Sequence, residues 1–345
     1  MSIQPARTQR PLLHEVMAKC SRLNIPMQVV LELTYRCNLR CSHCYIDLAE
    51  TDELSFDEWK EVLGQLKEEG SIYLLFTGGE IMVRNDFLEI ATYARRNGLL
   101  IGLLTNCTLI TPDISRAIAE LRPFSIGTSL YGATASTHES VTGVPGSFHK
   151  TLEGIQLLVA AGVVPTVQTI VMQTNVQELP QIEELVESLG ARSDINIGMA
   201  PSKTGSDFPF QYAPGVESLL NCGWQPETPG PTGEQGPQLC KAGKANCSIS
   251  PHGDVFPCIL FPMKLGNLRE SSFDSIWRLE PCAELRYLRS MRRSDLYACN
   301  GCELRAYCQR CTGSAYIESG RMDGPSSSAC RQAQLRWQLT EVGEV

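Results

Sequence analysis

The feature that most restricts the fold is a pattern that recurs six times between residues 29 and 199. In each repeat, a short run of apolar and β-branched residues precedes a segment whose apolar residues have helical spacing. The strand-like runs cover residues 29–33, 72–76, 99–105, 125–130, 166–172 and 194–199. Strands that alternate with helices pair in parallel, because each helix returns the chain to the same edge of the sheet. The sequence therefore predicts an α/β fold, with a parallel sheet or barrel covered by helices.

Helix boundary signals support this alternation. Ser55 and Glu58 form a capping-box pattern, which predicts a helix that begins there and ends at Gly70. Thr111 and Pro112 provide an N-cap and a first-turn proline for a later helix. Further helices are predicted over 86–96, 148–161 and 179–189. Active sites in such folds lie at the carboxyl ends of the strands, so the polar residues that follow each strand are the candidates.

The chain divides into four segments by composition. Residues 1–28 are an extension that is too short to form a domain, and residues 29–199 hold the repeats. Residues 200–239 contain seven prolines and six glycines, which predicts an irregular bridge. Residues 240–345 are poor in apolar side chains and rich in cysteine. Within this last segment we expect a hairpin over 247–258 that turns at residues 252–254, and short helices over 273–279, 282–291 and 329–339.

Composition excludes several classes of protein. No apolar run among the 345 residues approaches the roughly 18 that a membrane span needs, and residues 1–13 lack a secretory signal. The net charge of −8 disfavours a general nucleic-acid binder. The fifteen cysteines are an odd number and cannot all pair within one chain. We therefore expect a cytoplasmic protein, in whose reducing compartment clustered thiols indicate metal or redox chemistry.

The first cysteine group directly follows the first predicted strand. Cys37, Cys41 and Cys44 form a CxxxCxxC pattern on one short loop. Three thiolates can hold three irons of a cubane cluster and leave the fourth iron open to a ligand. The alternative is a zinc site that uses His43 as the fourth ligand, although His43 and Cys44 are awkwardly placed to chelate together.

The span 29–199 resembles the radical S-adenosylmethionine (SAM) superfamily, which implies a partial (β/α)6 TIM-like barrel. In that family the CxxxCxxC loop holds a [4Fe–4S] cluster whose open iron binds SAM. The resemblance implies that Gly78, Gly79 and Glu80 form the GGE motif, with Glu80 accepting a bond from the SAM ammonium; Ile81 replaces the usual proline. It also places further contacts to SAM or the cavity at His43, Thr105, Asn106, Ser129, Met172, Asn175 and Met199.

The C-terminal cysteines resemble the SPASM extension of radical SAM peptide and cofactor maturases, a small domain with two auxiliary [4Fe–4S] clusters. The family's interleaved ligation implies one cluster on Cys240, Cys247, Cys258 and Cys311, and a second on Cys299, Cys302, Cys308 and Cys330. The interval between Cys308 and Cys311 is two residues, where the family usually has three. The same eight thiols could instead form two zinc ribbons.

Four cysteines remain: Cys20, Cys107, Cys222 and Cys282. Cys107 follows the third strand at a position where glycine is usual in the family. Its thiol is our candidate catalytic residue, as a hydrogen-atom donor or a substrate holder. The alternative is a small buried side chain.

The resemblance also implies a reaction. One-electron cleavage of SAM yields a 5′-deoxyadenosyl radical that abstracts hydrogen, and auxiliary clusters suit an oxidative second step. We expect three [4Fe–4S] clusters, SAM, a reductant such as flavodoxin or ferredoxin, and a ribosomally made precursor peptide as substrate. A separate leader-binding protein is expected, because no segment here has room for that domain. The alternatives are maturation of a cofactor or of a protein residue, or a non-enzymatic cluster or zinc scaffold.

Overall fold

A parallel sheet with helices on its outer face forms the main part of the molecule. The computed structural model describes residues 10–46, 52–203, 205–222 and 240–343. The six predicted strands are all present, as β1 (Gln28–Thr34), β2 (Tyr73–Gly78), β3 (Leu100–Leu104), β4 (Ser125–Ser129), β5 (Thr166–Ile170) and β6 (Arg192–Asn196). Each pairs in parallel with the next along the chain. The predicted α/β class is confirmed.

Helices connect these strands where the boundary signals predict them. They are α2 (Phe56–Glu68), α3 (Phe87–Arg96), α4 (Pro112–Leu121), α5 (Ala135–Thr142), α6 (Ser147–Ala160) and α7 (Leu179–Ser188), preceded by α1 (Arg10–Leu23). The capping box of α2 is formed, with Ser55 N donating to Glu58 Oε2 at 2.7 Å. Thr111 caps α4 as predicted. Helices α1 and α5 were not predicted, because α5 is short and mostly polar and α1 lies before the first repeat.

Alternation along the strands separates the core from the barrel interior. Leu31 and Phe76 are fully buried in one cluster with Trp59 of α2, on the helix side of the sheet. Successive side chains point to opposite faces of a strand, so Glu32 and Thr77 point away from the helices. The core therefore lies between the sheet and the helices, which leaves the other face free to form a site.

The cysteine-rich segment continues the same sheet. Strand β7 (Asn246–Ile249) pairs in parallel with β1, and β8 (Asp254–Phe256) and β9 (Gly266–Asn267) follow in antiparallel order. The predicted hairpin is confirmed, with Gly253 at φ +83° in its turn. A π-helical turn (Ser275–Leu279) and helices α9 (Ala283–Ser290), α10 (Tyr297–Asn300), α11 (Thr312–Ser319) and α12 (Ser327–Gly343) complete this unit. Its attachment thus rests on strand pairing, which local sequence patterns did not reveal.

The predicted bridge is less irregular than its composition indicated. A 3₁₀ segment (Phe208–Tyr212) and helix α8 (Val216–Asn221) form within it. Tyr212 O accepts a hydrogen bond from Gln173 N at 2.9 Å, which fixes this segment over the end of β5. Residues 204 and 223–239 of the predicted bridge lie outside the described residues. Within the described ranges, none of the helices is long and apolar enough to cross a membrane.

Candidate active site and auxiliary cysteine groups

A cavity of about 210 Å³ lies at the carboxyl ends of the barrel strands. It collects most of the side chains that the sequence placed after separate strands. The predicted residues that line it are Cys37, Cys41, His43, Cys44, Gly78, Gly79, Thr105, Asn106 and Ser129. Thr77, Thr128, Tyr131 and Gln168 also contribute to its wall. The loop with the three thiols therefore lines one part of the cavity, and glycines and neutral hydrogen-bonding side chains line the rest.

The cysteine loop is held in place by helix α5. Arg40 N donates to Thr142 O at 2.8 Å and Ser42 N to Val141 O at 2.9 Å, so two backbone bonds join the loop to the last turn of α5. Burial and the nearby thiolates of Cys44 and Cys37 raise the pKa of Cys41 to about 12. Such thiols stay protonated at neutral pH unless a metal binds them, because a bound cation favours the thiolate.

The two glycines of the second loop allow backbone to pack against backbone. Gly79 N donates to Thr34 O at 2.8 Å, and Glu80 N donates to Arg36 O at 2.9 Å. A Cβ at Gly78 would lie 2.2 Å from Thr34 O, and one at Gly79 would lie 2.3 Å from Arg36 O. Both glycines also face the cavity. The motif predicts that Gly78 and Gly79 let a ligand approach the backbone. In the structure these glycines also allow close contact with the chain that leads into the cysteine loop.

Glu80 lies behind the cavity wall. It is 1% exposed and is not among the residues that line the cavity. Its carboxylate accepts hydrogen bonds from Thr105 Oγ1 at 2.8 Å, Asn106 N at 2.6 Å and Met82 N at 3.0 Å. Burial raises its pKa, and these hydrogen bonds oppose the rise. In this arrangement Glu80 joins the loop after β2 to the loop after β3.

A chain of amides and hydroxyls connects the third loop with the cysteines. Asn106 Nδ2 donates to Asn38 Oδ1 at 2.9 Å, and Asn38 Nδ2 donates to Thr108 Oγ1 at 2.7 Å. Asn106 Oδ1 accepts from Thr108 N at 3.0 Å. Asn38 lies between Cys37 and Cys41 in the sequence. The network therefore holds the cysteine loop through Asn38, in addition to the backbone bonds of the loop to α5.

His43 and Tyr131 form an aromatic part of the wall. Their rings meet edge to face with centroids 4.7 Å apart, and Tyr131 stacks on His138 at 5.9 Å. Burial lowers the pKa of His43 to about 4, so its imidazole is neutral at physiological pH. His43 Nδ1 is buried and has no hydrogen-bond partner in the structure. His43 Nδ1 is therefore available to a ligand, as are Thr128 Oγ1 and His138 Nε2, whose residues also line the cavity.

Met172, Asn175 and Met199 are not in the cavity wall. The two methionines are buried in a cluster with Tyr131 and Val141, and Phe210 and Tyr212 of the bridge pack against this cluster. Asn175 Oδ1 accepts from Met172 N at 2.7 Å and Nδ2 donates to Ile170 O at 2.9 Å, so Asn175 shapes the end of β5.

Cys107 is also outside the cavity wall. Its side chain is fully buried in the core, at φ +62°, and burial raises the pKa of its thiol to about 12. Helix α6 approaches so closely that a Cβ at Gly154 would lie 2.1 Å from Cys107 O. The positive φ accounts for the preference for glycine that the family resemblance indicated at this position. The structure thus places the thiol of our catalytic candidate among core side chains.

The eight C-terminal cysteines form two neighbouring groups. Burial and the nearby thiolates of Cys311 and Cys240 raise the pKa of Cys258 to about 11, and burial and Cys258 raise the pKa of Cys247. We call these four cysteines the inner group. The other four cysteines also lie together. Burial raises the pKa of Cys308, and so do the neighbouring thiolates of Cys330, Cys299 and Cys302. We call these four the outer group.

The donor set fits iron–sulfur clusters. Within residues 10–46, 52–203, 205–222 and 240–343, no three His, Cys, Asp or Glu side chains converge on one single-ion position. A cubane cluster does not need such convergence, because it bonds each thiolate to a different iron. Cys37, Cys41 and Cys44 could hold a cluster beside the cavity, and the inner and outer groups could hold two more. Thiolates are the usual ligands of such clusters.

One buried ion pair was not predicted. Glu32 of β1 is fully buried, and Lys203 Nζ donates to both of its carboxylate oxygens at 2.6 Å. The Tyr35 hydroxyl donates to Glu32 Oε2 at 3.2 Å. Lys203 N also donates to Tyr45 O at 3.1 Å. A glutamate within an apolar strand run was the signal in the sequence, but its partner lies 171 residues away.

Comparisons with known proteins agree with the geometry. The Radical SAM superfamily profile matches residues 31–189, and that of the SPASM iron–sulfur cluster-binding domain matches residues 240–303. The chain is 30% identical to the AdoMet-dependent heme synthase of Methanosarcina barkeri, in a match that covers 86% of this chain and 94% of that protein. It is 29% identical to the mycofactocin maturase MftC of Mycobacterium tuberculosis, over 88% of this chain and 82% of that protein.

Solved structures share the fold. Streptococcus suis SuiB bound to its precursor peptide SuiA superposes with a TM-score of 0.71 at 16% identity, over 92% of this chain and 79% of that one. The sequence comparisons and the structural comparison thus agree: the fold is that of the solved structure, and the sequence belongs to the matched family. This chain is a radical SAM enzyme with a C-terminal SPASM domain.

Proposed function

We propose that this enzyme modifies a ribosomally synthesised precursor peptide by radical chemistry. The modification would be an oxidative crosslink, a thioether, an excision or an epimerisation. The observation that carries the proposal is the cavity beside Cys37, Cys41 and Cys44, together with relatives that include a mycofactocin maturase over most of its length. When loaded, the cluster and SAM would supply a 5′-deoxyadenosyl radical.

The residues of this chain would bind and enclose SAM. The three thiols would hold the cluster and leave one iron open. Gly78 and Gly79 would offer a wall without side chains, and Thr105, Asn106 and Ser129 would offer hydrogen bonds to the polar parts of SAM. Glu80 would act from behind the wall by orienting Thr105 and the Asn106 amide, or reach the SAM ammonium after a small movement. His43 Nδ1, which has no partner in the structure, would accept a bond from the ligand. Met172 and Met199 would close the adjoining barrel mouth.

The sheet has an edge that is accessible to a large substrate, which is consistent with a peptide. Strand β6 forms this edge, because it is the last strand at one end of the sheet in the described part of the chain. Four of its residues are exposed: Arg192, Ser193, Asp194 and Asn196. An extended peptide can reach the interior along such an edge more easily than through a closed barrel.

We further propose three [4Fe–4S] clusters. One is the SAM cluster, and the inner and outer cysteine groups would each hold one auxiliary cluster. A flavodoxin or ferredoxin would supply the electron, in the cytoplasm, where thiols stay reduced. Cys107 remains our proposal for a thiol that acts on the substrate radical; it would have to move out of the core to do so. The segment boundaries at residues 28, 199 and 239 are also proposals.

Recognition of the precursor is assigned to a separate leader-binding protein. In the described part of the chain, the segments outside the barrel form α1, the short helices of the bridge and the SPASM unit. The precursor should bind weakly to this chain alone and more tightly when the second protein is added. Calorimetry with and without the partner measures this, and tight binding by the isolated chain would contradict it.

Anaerobic turnover tests the main proposal. The reconstituted enzyme, SAM, a reductant and a peptide encoded by a neighbouring short gene should give 5′-deoxyadenosine and a mass change in the peptide. The variant in which Cys37, Cys41 and Cys44 are all alanine should give neither product. Cleavage of SAM without any change in candidate peptides would contradict a peptide substrate.

A second candidate is maturation of a haem-type cofactor. It is favoured by the 30% identity to an AdoMet-dependent heme synthase, since the match covers 94% of that protein. The same turnover assay with a tetrapyrrole precursor, followed by absorbance, distinguishes the two. Formation of haem would favour the second candidate.

A further inference from the structure

Two cations are buried beside the inner cysteine group. The first is Lys244, which is 5% exposed and lies between Cys240 and Cys247 on the turn that leads into β7. Across the described ranges, its ammonium has neither a carboxylate nor a hydrogen-bond acceptor. Burial lowers the pKa of Lys244, and the Cys240 thiolate opposes that effect. Lys244 therefore lies close enough to Cys240 for the charges to interact.

The second cation is Arg289 of α9. Its Nε donates to Gly243 O at 2.6 Å and its Nη1 to Trp277 O at 2.8 Å, with the guanidinium 4.7 Å from the centre of the Trp277 ring. Nη2 is buried and has no partner in the structure. Burial lowers the pKa of Arg289 to about 10, and the nearby thiolates of Cys282 and Cys247 oppose that effect.

Two cations this close together are costly without an anion. Arg289 Nη2 is buried without a partner, whereas the ammonium of Lys244 is not fully buried, although the residue as a whole is buried. Burial of an unpaired charge costs several kcal/mol unless it is compensated. Here the two positive charges also act on each other, because Arg289 lowers the pKa of Lys244. No carboxylate pairs with either side chain within the described residues. The nearby thiolates are that of Cys240 for Lys244 and those of Cys282 and Cys247 for Arg289, and Cys240 and Cys247 belong to the inner group.

The outer group has a different environment. Arg310 lies beside it, but its guanidinium donates to Met322 O, Gly324 O and Thr312 Oγ1. Arg336 similarly donates to Tyr307 O and Gln309 Oε1. The protein itself therefore supplies acceptors to the cations of the outer group. Beside the inner group, by contrast, Lys244 has no carboxylate partner and Arg289 Nη2 has no acceptor within the described residues.

We propose that Lys244 and Arg289 are the counter-cations of the inner auxiliary cluster and raise its reduction potential. The inference rests on the proposed cluster at Cys240, Cys247, Cys258 and Cys311. Four thiolates make such a cluster an anion, and it becomes more negative when it accepts an electron. Fixed positive charge stabilises the reduced form more than the oxidised form, and net charge is one of the levers that set these potentials. The two cations thus suit the inner cluster to accept an electron from a substrate radical.

The test is a redox titration of the anaerobically prepared holoenzyme, monitored by electron paramagnetic resonance. The inner-cluster signal is identified as the one lost in Cys258→Ser. In Lys244→Met, we expect the reduced-to-oxidised ratio of this cluster at a fixed potential to fall at least tenfold, which corresponds to 59 mV for one electron. Lys244→Arg keeps the charge and should titrate like the wild type. Lys264→Met is the matched control, because Lys264 is an exposed lysine of the same unit that pairs with Asp254 at 2.7 Å.

Each outcome has a separate meaning. An unchanged inner potential in Lys244→Met, with full iron content, would overturn the inference and leave the proposed function intact. An equal fall in Lys244→Arg or Lys264→Met would also overturn it, because charge at this place would then not be the cause. Loss of inner-cluster iron in Lys244→Met but not in Lys244→Arg would support the counter-cation role. A wild-type enzyme without any inner-cluster signal would instead contradict the proposed auxiliary clusters.

Discussion

The Lys203 ammonium lies 2.6 Å from each carboxylate oxygen of Glu32, and this pair joins the bridge to the interior of the barrel. Glu32 is fully buried, and burial raises its pKa despite the neighbouring Lys203. Tyr35 and Tyr45, which flank the cysteine loop in the sequence, both contact the pair. The pair therefore couples the position of the bridge to the loop that carries Cys37 and Cys44.

Removal of one partner should destabilise the fold strongly. Lys203→Met leaves the Glu32 carboxylate buried without a counter-ion, which typically costs about 3–5 kcal/mol. The double variant with Glu32→Gln should recover part of this loss, because no charge is then left unpaired. Denaturant unfolding of the wild type, Lys203→Met, Glu32→Gln and the double variant measures the coupling. Additive effects of the two substitutions would show that the pair does not act as a unit.

Iron content should follow the three cysteine groups. The wild type should bind about twelve irons, four per cubane cluster, and the alanine variant of Cys37, Cys41 and Cys44 should bind about eight. A matched control replaces three cysteines that lie in none of the groups: Cys20, Cys222 and Cys282. The control should keep all its iron. Full iron content in the first variant would contradict the assignment of the SAM cluster.

Glu80→Gln should weaken SAM binding without loss of iron. The carboxylate accepts bonds from Thr105 Oγ1 and Asn106 N, and a carboxamide replaces one acceptor oxygen by a donor. A hydrogen bond to a charged group is worth about 1.5–3 kcal/mol, so we expect SAM affinity to fall by about tenfold or more. Glu178→Gln is the control, since the Glu178 carboxylate accepts from Ala133 N at 2.7 Å and from Thr134 and Thr137 instead of from the loop after β3. Unchanged affinity in Glu80→Gln would remove this carboxylate from the SAM site.

His138 should make stability depend on pH. Burial lowers its pKa to about 4, below the ordinary value of about 6.5, so the unfolded chain takes up the proton first. Its contribution is fully present above about pH 6.5 and is lost as the pH falls towards 4, by up to about 1.4 kcal/mol per pH unit. His138→Asn keeps an acceptor for Tyr131 N, whose bond to His138 Nδ1 is 3.2 Å long. Unfolding free energies of both proteins at pH 7.5 and 5.5 should show a smaller decrease for the variant, and equal decreases would contradict the assignment.

Local patterns in the sequence predicted what local physics determines. The capping box at Ser55 and Glu58 and the N-cap at Thr111 form as expected, because each involves residues three apart on one turn. The cavity residues came together because the strands pair in chain order, which brings their carboxyl ends to one edge. The pairing of β7 with β1 did not follow, since two strands more than 200 residues apart carry no common local signal.

Side-chain direction was the harder part of the site. Glu80 and Cys107 follow their strands as the cavity residues do, but both side chains turn into the protein. The positive φ of Cys107 and the close approach of α6 decide this, and neither can be read from residue order. Met172 and Met199 likewise pack against Phe210, Tyr212 and Ala213 of the bridge, a contact that the proline-rich composition did not indicate.

Gly79→Ala should displace the cysteine loop and reduce the content of the SAM cluster. A Cβ at this position would lie 2.3 Å from Arg36 O, 2.8 Å from Arg36 C and 3.1 Å from Cys37 Cβ. Backbone atoms cannot give way as a flexible side chain can, so either the Gly79 loop or the chain into Cys37 must move. Either movement disturbs the bond from Glu80 N to Arg36 O, which joins these two segments. The control is Gly64→Ala in the interior of α2, where a Cβ meets nothing within 4 Å and alanine should add about 0.5–1 kcal/mol of stability.

The measurements are iron content and the electron paramagnetic resonance signal of the SAM cluster. Both should fall in Gly79→Ala and stay at wild-type values in Gly64→Ala. Full SAM-cluster iron in Gly79→Ala would show that the loop tolerates a side chain there and that the glycine serves the ligand alone.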